Sequence, residues 1–241
     1  MIALALLLLA AAPVQELEKE CQAGKASACG DLGVVYREGL GVPKDEAKAA
    51  GLFHKACKGK DPQACADDAR AMALGEGQAP QTGAALARLE KMCKAGGALA
   101  CAHLGELFAR GSGGPQDAFR ADGLLEKACS KGAARGCATL APRVLQAGNK
   151  ERAEKLAQQA CDGGEIPGCT WLGNHYAASE DVVRASFYFA RACEGGSAHA
   201  CTGEGFLLIE SGADIKKGVG LLQQGCKGGD PKGCDLLKQY Q

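Results

Sequence analysis

Seven times along this 241-residue chain a cysteine is followed by a second one eight positions later: Cys21 and Cys29, Cys57 and Cys65, Cys93 and Cys101, Cys129 and Cys137, Cys161 and Cys169, Cys193 and Cys201, Cys226 and Cys234. The first members follow one another at intervals of 36, 36, 36, 32, 32 and 33 residues. A period of that size marks a stacked-repeat architecture, in which each unit buries its apolar face only against its neighbours. It predicts six full repeats starting at residues 21, 57, 93, 129, 161 and 193, and a half repeat from 226.

The spacing also restricts the local geometry. On one straight helix, residues eight apart are separated by about 12 Å along the axis, whereas a disulfide needs Cα atoms roughly 4.4–6.8 Å apart. Each bonded pair must therefore straddle a chain reversal. The segments CKAGGALAC, CEGGSAHAC, CDGGEIPGC and CKGGDPKGC carry glycine two or three residues after the first cysteine. Glycine there suits the left-handed position that ends a helix, so each pair is expected to staple the end of one helix to the start of the next. Structural zinc sites use C-x2-C or C-x4-C spacing with a second half-site, and this chain has neither. A short loop of this kind stabilises by roughly 2–3 kcal/mol per bond in the chain-entropy model.

Disulfides imply an oxidising compartment, and the N-terminus fits one. Residues Met1 to Ala12 read MIALALLLLAAA, too short to span a bilayer but suited to a signal-peptide core. Residues 1–12 are read as the signal and residues 13–241 as the repeat solenoid. Ala10 to Ala12 offer cleavage positions, although Pro13 disfavours cutting directly after Ala12 and no Lys or Arg precedes the apolar run. The mature chain is expected to be exported, periplasmic or secreted, with no stable membrane insertion.

Within each repeat the helical stripe is legible. Counted from the second cysteine, the third position is Leu32, Leu104, Leu140, Leu172 and Leu237, with Asp68 and Glu204 as exceptions. The fourth is Gly33, Ala69, Gly105, Ala141, Gly173 and Gly205, and the seventh Tyr36, Met72, Phe108, Val144, Tyr176 and Leu208. Offsets 0, 3, 4 and 7 form one buried face. This first helix of the repeat is called helix A. A second, helix B, ends at the next cysteine, with small Ala49, Ala85, Ala121, Ala153, Ala185 and Gly218 eight residues before it. Phe53, Leu89, Leu125, Ala157, Phe189 and Leu222 stand four before it. Repeats four and five lose four residues between the helices, and Pro142 is expected to kink or shorten its helix A.

The run CGDLGVVYREGLGVPKDEAKAA from Cys29 to Ala50, and its counterpart CAHLGELFARGSGGPQDAFRA from Cys101 to Ala121, resemble the Sel1-like repeat, a relative of the tetratricopeptide repeat. The added C-x7-C pairs resemble the cysteine-rich secreted members known from Helicobacter. The resemblance covers about residues 20–241 and implies an all-α fold: an α/α solenoid, or superhelix, of Sel1-like repeats stapled by seven disulfides. Repeats two, four and six depart from the pattern at Asp68, Pro142 and Glu204.

Some relatives have been described as penicillin-binding proteins or β-lactamases, so β-lactam binding or weak hydrolysis is the alternative function. The serine enzymes need S-x-x-K, S-D-N and K-T-G, and none occurs here. A zinc enzyme needs clustered ligands, whereas His54, His103, His175 and His199 fall in four separate repeats and read as isolated surface residues. No catalytic residue, metal site or cofactor is assigned. The 28 basic and 28 acidic residues cancel, which gives no reason to expect a nucleic-acid partner.

Interaction is the favoured function, since stacked helix pairs present extended concave surfaces. The resemblance places helix A on that side. With offsets 0, 3, 4 and 7 buried, offsets 2, 5 and 9 face away. They give a candidate binding face of Asp31, Val34, Arg70, His103, Glu106, Arg110, Trp171, Asn174 and Phe206. Trp171, the single tryptophan, and Phe206 are apolar on a face expected to be open, as interface anchors are. A tryptophan packed between neighbouring A helices is the competing reading. The expected partner is a protein, peptide or cell-envelope component, and the chain is expected to be monomeric.

Overall fold

The structure is a computed structural model that describes residues 14–40, 42–112 and 116–240. The signal segment expected at residues 1–12 lies outside the described residues. Among them there are fourteen helices and no strand. The chain divides into two units, one ending at Lys131 and one beginning at Gly132.

The first unit holds α1 (14–22), α2 (Ala26–Glu38), α3 (Glu46–Lys58), α4 (Pro62–Leu74), α5 (Thr82–Lys94), α6 (Ala98–Arg110) and α7 (Ala118–Ser130). The second holds α8 (Ala134–Gln146), α9 (Lys150–Asp162), α10 (Ile166–Ala178), α11 (Val182–Glu194), α12 (Ala198–Glu210), α13 (Ile215–Lys227) and α14 (Pro231–Leu237). Even-numbered elements are A helices and odd-numbered ones B helices. From α2 to α13 every helix has 13 residues, about 20 Å at 1.5 Å per residue. The repeat lengths differ in the A-to-B connection alone, which runs over residues 39–45 in the first repeat but only 147–149 and 179–181 in repeats four and five. Pro142 does not shorten α8, which keeps the common length with the proline at its ninth position. The helix still ends on capped backbone at Ala147, whose N–H reaches Arg143 and Leu145 carbonyls.

Local chemistry explains where the helices start. Asp45, Asp61, Asp117, Asn149, Asp181, Ser197 and Asp214 each accept a backbone N–H from the first turn that follows. Such caps are worth about 1 kcal/mol apiece. All fourteen cysteines are disulfide-bonded. The Cα–Cα separations are 4.5–4.7 Å in the pairs starting at Cys21, Cys57, Cys93, Cys161, Cys193 and Cys226. The reversal inside each staple turns on the third residue after the first cysteine. Gly24, Gly96, Gly132, Gly164, Gly196 and Gly229 have positive φ there, and Lys60 takes the same conformation at +67° without being glycine.

The small fourth position of helix A faces helix B of its own repeat. A Cβ on Gly33 would lie 2.6 Å from the Phe53 ring, one on Gly105 2.8 Å from Leu125, and one on Gly173 2.5 Å from Phe189. Phe53, Leu89, Leu125 and Leu222 are completely buried in consequence, each contributing about 1.5–3 kcal/mol. Successive repeats are also tied through a basic residue two before the staple cysteine. Lys55 donates to the Cys21 carbonyl (2.9 Å), Lys127 to Cys93 (3.2 Å) and Arg191 to Cys161 (3.2 Å). A cation there meets the negative end of the preceding B helix.

Candidate functional site

The outward row of the A helices differs between the two units. In the first unit α2, α4 and α6 carry charge: Arg37, Asp67, Arg70, His103 and Glu106. The expectation that this row is open fails at two of the named residues. His103 has no exposed surface and Glu106 is 7% exposed, with Asp67 buried beside them. The reason is that neighbouring A helices pair these groups with each other. The Arg37 guanidinium donates to Asp67 Oδ1, His103 Nε2 lies 3.2 Å from the same oxygen, and His103 Nδ1 lies 3.7 Å from Glu106 Oε2. Arg70 donates to Glu76 Oε1 at 2.9 Å and sits 4.0 Å from Glu106. Burial alone would push the Asp67 carboxyl up, but the hydrogen bond and charge of His103, and then Arg37, hold it down at about 2. His103 is thus a buried structural histidine, not an isolated surface one. Asp31 and Arg110 are exposed as expected, while Val34 is half-buried against the core formed with α1.

A second polar contact in this unit accounts for one break in the leucine pattern. Asp68, which stands where other repeats have leucine, is buried and accepts from Arg88 Nη1 at 2.8 Å. His54 Nδ1 lies 3.4 Å from its other oxygen. Arg88 occupies a B-helix position filled elsewhere by Leu52, Leu124, Leu156, Tyr188 and Leu221. Two exceptions on facing helices therefore satisfy one another. Glu204, also buried, is satisfied differently, accepting from Ser186 Oγ on the preceding helix at 2.8 Å. Leucine replaced on one helix by an acid, with a polar residue appearing on the facing helix, was the signal available in the sequence.

In the second unit the equivalent row is almost uncharged. Trp171 and Asn174 lie on α10, Gly203 and Phe206 on α12, and Leu236 on α14. Trp171 is half-buried and stacks on His175 one turn along its own helix, with ring centroids 4.9 Å apart. Burial first, then Lys150, holds the His175 imidazolium below the usual histidine range. Next to this pair, Tyr176 stacks on Tyr188 and donates to Glu154. Burial and that carboxylate push the Tyr176 hydroxyl up to about 12.

Between α10, α12 and α14 lies a recess of about 400 Å³. Its floor is Phe189, Phe206, Leu207 and Leu236; Asn174, His199 and Lys232 stand at its edge. Phe206 remains 38% exposed. Gly203 lines it and lets α12 pack closely on Phe189, since a Cβ there would lie 2.9 Å from that ring. His199 Nε2 pairs with Asn174 Oδ1 at 3.1 Å. Lys232 has no ion-pair partner among the described residues. An aromatic-floored recess with polar groups and a lysine at its edge can hold an apolar side chain while fixing the backbone that bears it. No group of three or more metal-ligating side chains that could hold an ion occurs among the described residues, and no described helix is long and apolar enough to cross a membrane.

A family model for the Sel1 repeat matches residues 26–61, 98–132, 142–165, 168–197 and 202–230. Solved structures share the fold. A Sel1 repeat protein from Oxalobacter formigenes is similar at 22% identity and a TM-score of 0.68, over 93% of this chain and 68% of that one. A protective antigen of uropathogenic Escherichia coli strains, displaying an SLR fold, is similar at 20% identity and a TM-score of 0.64. That match covers 93% of this chain but only 50% of the antigen, so the chain spans half its length. An immunity protein from Pseudomonas aeruginosa is similar at 20% identity and a TM-score of 0.55, over 73% of this chain and 68% of that one. No curated protein matches the chain.

Proposed function

The chain belongs to the Sel1 repeat family, and on that premise we propose that it is an exported scaffold that binds a protein or peptide partner on the A-helix face of its second unit. The observation that carries this reading is the recess over Phe189 and Phe206. It is the part of the A-helix row where apolar surface is left uncovered, at Phe206. Repeat scaffolds of stacked helices bind partners through such extended surfaces, and aromatic anchors in recesses dominate the energetics of interfaces. The charged row of the first unit is sealed by its own pairs and supplies position rather than affinity. Export is supported by fourteen bonded cysteines, which need an oxidising compartment to persist.

The test is selection of displayed peptides on the full oxidised chain, read by fluorescence of Trp171, which stands one turn from Asn174 on α10. Selected peptides are expected to share an apolar anchor and to lose at least about tenfold in affinity against Phe206→Asp, a hot-spot-sized effect. Arg110→Glu, in the first unit, should change affinity by less than about twofold, as rim charges do. Peptides that bind the Phe206 variant as well as the parent would overturn the reading. N-terminal sequencing of protein recovered from its own compartment tests export, and an intact Met1 would reject it.

A further inference from the structure

The Cys57–Cys65 staple has a guanidinium against its sulfur. Arg88 Nη2 donates to Cys57 Sγ at 2.8 Å, while its Nη1 is held by Asp68. In the neighbouring repeats the contacting cation, Lys55, Lys127 or Arg191, meets the backbone carbonyl of the first cysteine instead. Exposure separates the staples as well. Cys57 and Cys65 are both half-buried, a property shared with Cys226 and Cys234, whereas Cys21, Cys101, Cys137, Cys161 and Cys201 are each at most 3% exposed. No cation touches either sulfur of the Cys226–Cys234 pair among the described residues.

We propose that Cys57–Cys65 is a thiol–disulfide exchange site that takes a dithiol reductant, with Arg88 as the residue that positions and stabilises the departing Cys57 thiolate. A guanidinium beside a sulfur favours its thiolate form, and a disulfide breaks faster, and is more oxidising, when its leaving thiolate is stabilised. A thiolate of the reductant attacks Cys65 Sγ and forms the mixed disulfide. The Cys57–Cys65 bond breaks, and its electron pair stays on Cys57 Sγ, facing the Arg88 N–H. The second thiolate of the reductant then attacks its own sulfur in the mixed disulfide, and Cys65 leaves as a thiolate and takes up a proton. The protein gains two electrons and the dithiol becomes its cyclic disulfide. Asp68 shares the guanidinium and His54 stands beyond Asp68, so the charge facing Cys57 is set by these three side chains.

The experiment equilibrates the full chain in buffers of reduced and oxidised dithiothreitol, alkylates the free thiols and maps them by mass spectrometry. Cys57 and Cys65 are expected to reach half-reduction at a dithiol ratio about tenfold lower than Cys226 and Cys234, equivalent to about 30 mV for a two-electron couple. In the double variant Arg88→Leu with Asp68→Leu, which restores the residue types of the other repeats, that advantage should vanish. Equal reduction of the two pairs, or an advantage that survives the double variant, would overturn the proposal. Local opening of the α3–α4 turn could mimic the first result, so the pH profile of alkylation separates them. In Cys65→Ser the reactivity of Cys57 should inflect about one pH unit below that of Cys226 in Cys234→Ser; coincident inflections reject the role of Arg88. Should Cys65→Ser fail to fold, the titration of the parent and the double variant decides alone.

Discussion

The two units use one repeat plan and put opposite chemistry on the same row of positions. Offsets 2 and 5 of the A helices give Asp67, Arg70, His103 and Glu106 in the first unit, and Trp171, Asn174, Gly203 and Phe206 in the second. Asp67, His103 and Glu106 are buried and joined to one another, with Asp31 left exposed at the first repeat; the apolar groups of the second line a recess. Hydropathy alone would assign Asp67, His103 and Glu106 to solvent and Phe206 to the core, and the structure does the reverse at these four residues. Burial in a stacked array depends on what the next repeat offers at the same height. A charge disappears where its neighbour one period away is complementary.

The largest effect that would test the contrast is removal of a member of the buried row. Asp67→Ala leaves the buried Arg37 with Glu38 alone and strips His103 of the oxygen it faces, and should cost about 3 kcal/mol, read as a lowered urea midpoint, whereas Phe206→Ala should change stability by about 1 kcal/mol or less while abolishing peptide binding. Equal destabilisation by both would erase the distinction between a sealed and an open face.

Acid sharpens it further. The Asp67 carboxyl is held near 2, below its ordinary 3.8, so its contribution is fully present above 3.8 and is lost as pH falls through about 2. Each pKa unit is worth about 1.4 kcal/mol, so about 2 kcal/mol should disappear across that window. Asp67→Asn should flatten this part of the stability profile, measured by urea unfolding at each pH. A profile unchanged by the substitution would mean that the pair with Arg37 and His103 does not form.

Smaller effects come from the repeat plan itself. The Asp68–Arg88 pair should show a coupling energy of about 1–3 kcal/mol in a double-mutant cycle to leucine, because either single change strands a charge while the double change restores the usual apolar contact. Lys60 is the one staple residue that takes the left-handed turn without being glycine. Lys60→Gly should therefore stabilise by about 1 kcal/mol in thermal unfolding, and no gain would mean that the staple itself already offsets the strain.

How much of this was legible follows from the same logic. The buried stripe through Leu32, Leu104 and Leu172, and the small residues at Gly33, Gly105 and Gly173, repeat within a single helix, so a periodic reading finds them. The pairing of Arg37 with Asp67 and of Asp67 with His103 crosses 30 and 36 residues. It is invisible to a helical-wheel argument, which treats offset 2 as solvent in every repeat. Comparing charges one period apart would have revealed it. Phe206 was singled out as an open aromatic and remains open; the recess it lines also draws on Phe189, which the B-helix pattern assigns to the core. Trp171 is half-buried and stacks on His175, four residues further along its own helix, a pair that helical spacing places on one face.

The staples have a consequence for how the chain is made. In each bond the partners are eight positions apart, so under the export proposed above a cysteine delivered N-terminus first would meet its correct partner before any later one has arrived. Pairing can then follow the order of delivery, from the N-terminus onward, and the many wrong combinations open to fourteen thiols are avoided by timing. A bond formed this way needs no finished fold to guide it, and each closed turn hands the next helix a fixed starting direction.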